Sequence, residues 1–285
     1  MPDTVVAFQG ELGAYSNQAI YYHFGPETTV LPCVDFAGIF DAIHHSRATH
    51  GMLPVENSLA GTVISAYDEL IDHDLRIQAE LIFRVSHCLM APAGVTLNDI
   101  RRVRSHPQAL AQCANTLRRL GLEPVNYYDT AGAARDLSAQ PEPYTAAIAS
   151  RLAAGIYNLD ILLAGIEDEP FNYTRFFVLG TTVPPRHDRS KTSIIFTTRH
   201  VPGALYHVLG ELARRGINLT KIESRPRRNR PWHYRFFVDF EGHEDDPDVQ
   251  AALLGILKQT SFLKVLGSYP APAPFSENQK EETSR

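Results

Sequence analysis

Apolar and polar positions alternate in short blocks along the chain. Val5 to Phe8 form a brief apolar run, GELGAYS follows, and a helical stretch is predicted from about Ser16 to Phe24. Asp35 stands as an N-cap before FAGIFDAIHH, where Phe36, Ile39, Phe40 and Ile43 keep helix spacing. GMLPV (51–55) reads as another strand and ends in the polar ENS. Strand-like and helix-like segments continue through VRSH, PQALAQCANTLRRL, VNYY, AGAARDL and AAIAS. Such alternation predicts an α/β region of parallel strands crossed by helices.

Residues 181–190, TTVPPRHDRS, break this pattern with two prolines, charges and no apolar period, and read as a linker. A second pattern follows: strand KTSIIFTT, a helix from about Pro202 to Arg215, strands NLTKIESR and HYRFFVDFEG, a helix from about Asp248 to Lys258, and strand FLKVLGSY. That βαββαβ order predicts a ferredoxin-like unit. Pro202 suits a first helical turn and Gly216 a helix end. From about Pro270 the chain is rich in Pro, Ser, Glu and Lys, and a disordered tail is expected over 270–285.

The length of 285 residues allows about two domains. A net charge of −5 gives no general attraction to nucleic acid or anionic lipid. Arg225, Arg227, Arg228, Arg230 and Arg235, near Trp232, Tyr234 and Phe236, resemble an RNA surface, but the patch is local in an acidic chain and such clusters also line subunit interfaces. No nucleic-acid partner is expected. Three cysteines make no disulfide framework, which suits a reducing cytoplasm. The N-terminus has no basic segment followed by an apolar stretch, and no run of about 18 apolar residues occurs, so neither a signal peptide nor a membrane span is expected. HHSRATH offers His44, His45 and His50 without carboxylate or cysteine at ligand spacing, so no metal is expected.

Four polar clusters stand where strands end, the position at which open α/β sheets bind ligands. In GELGAYS, Gly10 and Gly13 permit a tight turn and Ser16 can cap the following helix, offering backbone N–H groups to an anion or serving as a simple cap. The loop has neither a GxGxxG nor a P-loop lysine pattern, so nucleotide binding is unsupported. In PVENSLAGTV, Glu56, Asn57 and Ser58 follow an apolar strand, either as a functional set or as an Asn/Ser turn. In SHPQALAQC, Ser105 and His106 end a strand, and Gln108 and Gln112 share one helix face. In FNYTRFFVLG, Asn172, Thr174 and Arg175 open an apolar strand; Arg175 is suited to a carboxylate, from a ligand or from Glu167, Asp168 or Glu169.

The ordered set GELGAYS, PVENSLAGTV, SHPQALAQC and NYTRFFVL resembles prephenate dehydratase, and PGALYHVL (202–209) with KIESRP (221–226) resembles the phenylalanine-binding motifs of an ACT regulatory domain. PVENS carries Val where Ile is commoner in that family, and no chorismate mutase region precedes Val5, so the resemblance is to the monofunctional form. It implies a two-lobed α/β catalytic domain like type II periplasmic binding proteins over 1–182, with lobe one at 1–76 plus 161–182 and lobe two at 77–160. A linker at 183–190 and an ACT domain at 191–269 follow.

The implied reaction is loss of carbon dioxide and water from prephenate to give phenylpyruvate, driven by aromatisation and needing no cofactor. The resemblance makes Thr174 the key catalytic residue. Glu56 is the only carboxyl group of the matched motifs besides Glu11 and is the candidate proton source, with a relay through Thr174 as the alternative; Asn57, Ser105, Gln112 and Ser16 are expected to orient the carboxylates, Ser58 and Asn172 to contact substrate, and Arg175 to clamp a carboxylate or brace the loop. L-Phenylalanine would bind at Gly203, Ala204, Leu205, Glu223, Ser224, Arg225 and Pro226, between units of a homodimer or homotetramer. Arogenate, the amino analogue, is an alternative substrate, and a non-catalytic amino-acid sensor an alternative function.

Overall fold

A computed structural model describes residues 4–227 and 230–272. The chain begins β1 (Val5–Gln9), α1 (Tyr15–Phe24), β2 (Thr29–Cys33), α2 (Phe36–His44), β3 (His50–Asn57), β4 (Gly61–Thr62), α3 (Ile64–Asp72) and β5 (Arg76–Arg84). It continues with β6 (Cys88–Pro92), β7 (Arg102–Ser105), α4 (Pro107–Gln112), α5 (Ala114–Leu120), β8 (Glu123–Asn126), α6 (Thr130–Ala139), β9 (Thr145–Ala149), α7 (Arg151–Ile156), β10 (Leu159–Ala164) and β11 (Tyr173–Gly180). The last elements are β12 (Ser190–Thr198), α8 (Ala204–Ala213), β13 (Leu219–Arg227), β14 (Arg230–Glu241), α9 (Pro247–Gln259) and β15 (Thr260–Pro270).

Contacts divide the described residues into two units, one holding those up to Ala66 and Leu81–Phe176, the other Tyr67–Glu80 and those that follow Phe176. The first contains the turns and helix starts that matter below. Its strands belong to two sheets, ordered β2-β1-β3-β11-β5 with β4 beside β3, and β10-β6-β9-β7-β8. β1 pairs in parallel with β2 and β3, and β7 with β8 and β9. β9, TAAIA, is buried along its whole length, as a central strand covered on both faces must be. Asp35 and Asp129 cap α2 and α6 by accepting the N–H groups of Gly38 and Gly132 at 2.9 and 2.8 Å, which fixes where each strand hands over to its helix.

Sheet pairing sets the crossovers differently from the sequence pattern. β5 belongs to the first sheet and β10 to the second, so the chain changes sheets at 85–87 and 165–172 rather than at 77 and 161. The run RIQAELIFRVSHCLMAP gave no internal signal, because both sheets accept the same apolar alternation. Residues 67–80 pack with the C-terminal unit. Tyr67 meets Phe237 edge-on at 4.5 Å, Lys191 pairs with Glu80 at 2.6 Å, and Lys264 donates to the carbonyls of Ile71 and His73 at 3.1 and 2.7 Å.

The second unit has the expected βαββαβ order in an antiparallel sheet β13-β14-β12-β15. Val208 and Leu212 of α8 and Val249, Ala252 and Ile256 of α9 bury one sheet face against Ile194, Phe196, Val238 and Phe240. Pro270 still belongs to β15, and the remainder of the expected tail, 273–285, lies outside the described residues, as do Arg228 and the side chains of Arg230 and Trp232.

Burial holds the imidazoles of His23, His50 and His87 below their usual pKa. The unfolded chain then binds more protons than the folded one as pH falls through about 6.5, so stability is lost on acidification across that range. The melting temperature should fall measurably between pH 7.5 and 5.5; a flat profile would contradict the burial of these rings.

Candidate active site

A cavity of about 280 Å³ opens in the first unit where several element ends converge. Its wall comprises Gln9 at the end of β1, Tyr15 and Ser16 at the start of α1, Asn57 of β3, His87 in the 85–87 crossover, His106, Gln108 and Gln112 around α4, Tyr128 to Thr130 before α6, and Thr174 and Phe176 of β11.

The GELGAYS loop is held over this space by close packing. Gly13 has φ +86°, and a β-carbon there would sit 2.8 Å from the Ala153 backbone, so only hydrogen fits. Its carbonyl accepts from Ser150 Oγ at 2.5 Å, and its N–H donates to Asn17 Oδ1 at 3.0 Å. Asn17 thus ties the loop to the helix, and no side chain caps α1, so Ser16 is not the cap expected of it. Helix α1 starts one residue earlier than predicted, after Ala14, and Ser16 lines the cavity from the first turn.

A chain of side-chain hydrogen bonds runs along the cavity wall, and two backbone groups fix its direction. The N–H groups of Leu59 and Ala60 donate to Asn57 Oδ1 at 3.1 and 2.9 Å, so Nδ2 is the Asn57 donor. The two Nδ2 protons are shared among Thr174 Oγ1 at 3.0 Å, Asn172 Oδ1 at 2.8 Å and the Tyr173 carbonyl at 3.1 Å. Asn172 Nδ2 then donates to Gln112 Oε1 at 3.0 Å, which also accepts from His87 Nε2 at 2.8 Å. His87, kept neutral by burial, carries its proton on Nε2, and its bare Nδ1 accepts the Tyr15 hydroxyl at 2.5 Å. Burial likewise raises the Tyr15 phenol well above its usual range, so it stays protonated. Two consequences matter chemically. Thr174 Oγ1 is an acceptor within the protein, which leaves its own proton to donate, and Gln112 keeps its NH₂ group for an occupant of the cavity.

The neighbours of Asn57 and Thr174 point elsewhere. Successive strand residues face opposite ways, so Asn57 and Thr174 meet on one side while Glu56 and Arg175 meet on the other, at 3.7 Å. Neither lines the cavity, which corrects the expected proton source and the expected carboxylate clamp. Ser105 is fully buried and gives its hydroxyl to the Ile148 carbonyl at 2.6 Å, which joins β7 to β9 instead of serving a ligand. Ser58 donates to the Phe171 carbonyl at 2.6 Å and accepts the Tyr173 N–H at 2.9 Å, fastening the segment before β11. Asn172 lies behind the wall with no exposure, linking Asn57 to Gln112.

Tyr15, His87 and Asp129 were not singled out from sequence. Tyr15 lay inside a recognised motif, but His87 stood alone among apolar residues, and its bonds to Tyr15 and Gln112 span 72 and 25 positions. Among the described residues no lysine or arginine lines the cavity, no group of metal-ligating side chains occurs, and no helix is long and apolar enough to cross a membrane.

In the second unit, Gly203 is the N-cap of α8 with φ +77°, and Ala204 and Leu205 open that helix. Glu223, Ser224, Arg225 and Pro226 lie on β13, an edge strand; Ser224 and Pro226 are exposed, and Arg225 pairs with Glu223 at 3.2 Å. No hydrogen bond or ion pair joins the two sets among the described residues.

Residues 6–183 match the family profile of prephenate dehydratase. The chain belongs to the prephenate dehydratase family. Like the other members it is a lyase, and residues 192–257 match the ACT domain. A relative named arogenate dehydratase/prephenate dehydratase 2, chloroplastic, from Arabidopsis thaliana is 44% identical over 276 residues, covering 93% of this chain and 72% of that protein. Prephenate dehydratase from Arthrobacter aurescens, solved in complex with L-Phe, superposes with TM-score 0.86 at 30% identity, covering 98% of this chain and 95% of that one. GqqA, described as a novel type of quorum quenching acylase, superposes with TM-score 0.88 at 40% identity, covering 95% and 99%. Family membership removes the non-catalytic sensor from the expectations.

Proposed function

We propose that this dehydratase acts on prephenate, with arogenate as a second substrate, and that the Thr174 hydroxyl donates to the departing ring hydroxyl. As the ring carboxylate leaves as carbon dioxide, its bonding electrons enter the ring and the C–O bond breaks at the far side. Hydroxide is a poor leaving group and needs a donor as charge develops. The observation that carries this reading is the Asn57 to Thr174 bond, whose direction frees the threonine proton inside the cavity. Gln112 Nε2, Ser16 and the N–H groups at the start of α1, which no side chain caps, supply neutral donors for the carboxylates.

An acylase activity like that named for GqqA is less well supported. It needs a nucleophile whose proton passes to a base, whereas Thr174 accepts from an amide and both His87 nitrogens are engaged by Tyr15 and Gln112. The deciding assay incubates purified protein with prephenate and follows phenylpyruvate. Turnover of an N-acyl amide without phenylpyruvate formation would overturn the reading.

The proposal extends to regulation. The catalytic region is taken as about 1–182 and the ACT domain as 191–269, with phenylalanine bound by Gly203–Leu205 and Glu223–Pro226 at an interface between copies in a dimer or tetramer. The L-Phe complex of the Arthrobacter relative supports the effector, and β13 supports the interface, since an edge strand with an exposed Ile222 is open to pairing. Phenylalanine must bind one arrangement of the enzyme better than another to inhibit it. Ser224→Ala or Arg225→Ala should raise the phenylalanine concentration for half-inhibition by about tenfold; unaltered inhibition in both variants would exclude this site. Three free cysteines support a reducing, cytoplasmic setting.

A further inference from the structure

Asp129 supplies the sole carboxyl group among the described residues lining the cavity. Its Oδ1 accepts the Gly132 N–H at 2.8 Å, capping α6, while Oδ2 turns to the GELGAYS loop, 3.7 Å from where a β-carbon on Gly10 would stand. No lysine or arginine pairs with it among the described residues. Arg135 of the same helix is taken by Glu11 at 2.6 Å and Asp136 at 2.8 Å. Burial, with some help from nearby Glu11, raises the Asp129 carboxyl above the usual range, and the backbone N–H bonds and His106 offset this only in part. Such an acid gains from any cation the cavity admits.

We infer that Asp129 reads the side chain of the substrate, pairing with the α-ammonium group of an amino-acid substrate and so admitting arogenate beside the keto acid. This rests on the dehydratase reading and deepens it. The two substrates share the ring, the leaving hydroxyl and both carboxylates; they differ where one bears a ketone oxygen and the other an ammonium group. Telling them apart requires a wall group that attracts a cation and does not attract a carbonyl oxygen.

The other ionisable groups of the lining do not meet that requirement. Tyr15 and His87 are bonded to each other and stay neutral. Tyr128 is neutral, its phenol pushed up to about 12 by burial and Glu11. His106 accepts the Gln108 N–H through Nδ1 at 3.2 Å, so its remaining nitrogen presents an N–H, which an ammonium group avoids.

The test is Asp129→Asn in the full-length enzyme, assayed with both substrates. Asparagine caps a helix as well as aspartate does, so the change removes charge with little effect on α6. The ratio of kcat/KM for prephenate over arogenate should rise about tenfold or more, mainly through the KM for arogenate, as expected for loss of a charge-assisted bond. Asp129→Ser, also a good cap, should shift the ratio the same way and covers the case in which the first variant folds poorly. An unshifted ratio in a folded variant overturns the assignment, as does a wild-type enzyme that turns over prephenate but not arogenate; both leave the dehydratase reading intact. A wild-type enzyme that turns over neither substrate overturns that reading and this assignment together.

Discussion

Thr174→Ala is expected to lower kcat by about 10²-fold or more, with Thr174→Ser keeping much of the wild-type rate. The lost group is a single hydroxyl, 9% exposed, whose oxygen is pinned by the Asn57 amide and whose proton is free. Alanine removes the donor to the leaving oxygen and also deprives Asn57 of one of three acceptors, though the Asn172 and Tyr173 oxygens still hold it in place. The effect should therefore lie in kcat more than in KM or in the melting temperature. Serine restores the hydroxyl without the methyl group and can accept the same amide bond. An alanine variant with wild-type kcat would remove Thr174 from the chemistry.

Asn57→Asp should be the most damaging isosteric change at the site. The side chain keeps its shape, but the group that donates to three oxygens becomes one that only accepts. A carboxylate at a position 7% exposed would face those oxygens without a cation. The expected cost is about 3 kcal/mol or more of stability, read from the urea midpoint, and roughly a 10²-fold loss of turnover. The stability deficit should narrow on acidification, because a protonated carboxyl regains one donor; the buried histidines drive stability the other way in the same range, so the comparison is made against wild type at each pH. A variant as stable and active as wild type would show that the wall is not ordered in the direction derived for it.

Much of the site was legible because each motif ends a strand or begins a helix, and such ends converge in α/β folds. Asn57, Gln112 and Thr174 each stand at such an end, and all three line the cavity. Each motif divides between two faces. ENS and TRF read as one cluster apiece in the sequence, yet neighbouring positions on a strand face opposite sides, so Glu56 and Arg175 both turn from the cavity and meet each other. Parity along β3 and β11 carried that information, but only once the bounds of both strands were known. Ser105 offered no such cue, since a buried serine joining two strands and a serine facing a ligand look alike in sequence. The His87 and Tyr15 pair depends on a crossover at 85–87, and its position follows from which sheet β5 joins, a matter of tertiary pairing.

The absence of lysine and arginine among the described residues of the cavity wall bears on how a decarboxylation can finish. An arginine clamped on the ring carboxylate would hold the ground state tightly, and when that carboxylate departs as a neutral gas the guanidinium would be stranded without its counter-ion in a desolvated space. Amide and hydroxyl donors bind the same anion less firmly, and water or the next substrate satisfies them readily once it has gone. With Arg175 turned to Glu56, no lysine or arginine among the described residues lines the pocket to be orphaned, so the proposed step that creates the aromatic ring also loosens the enzyme's grip on what remains.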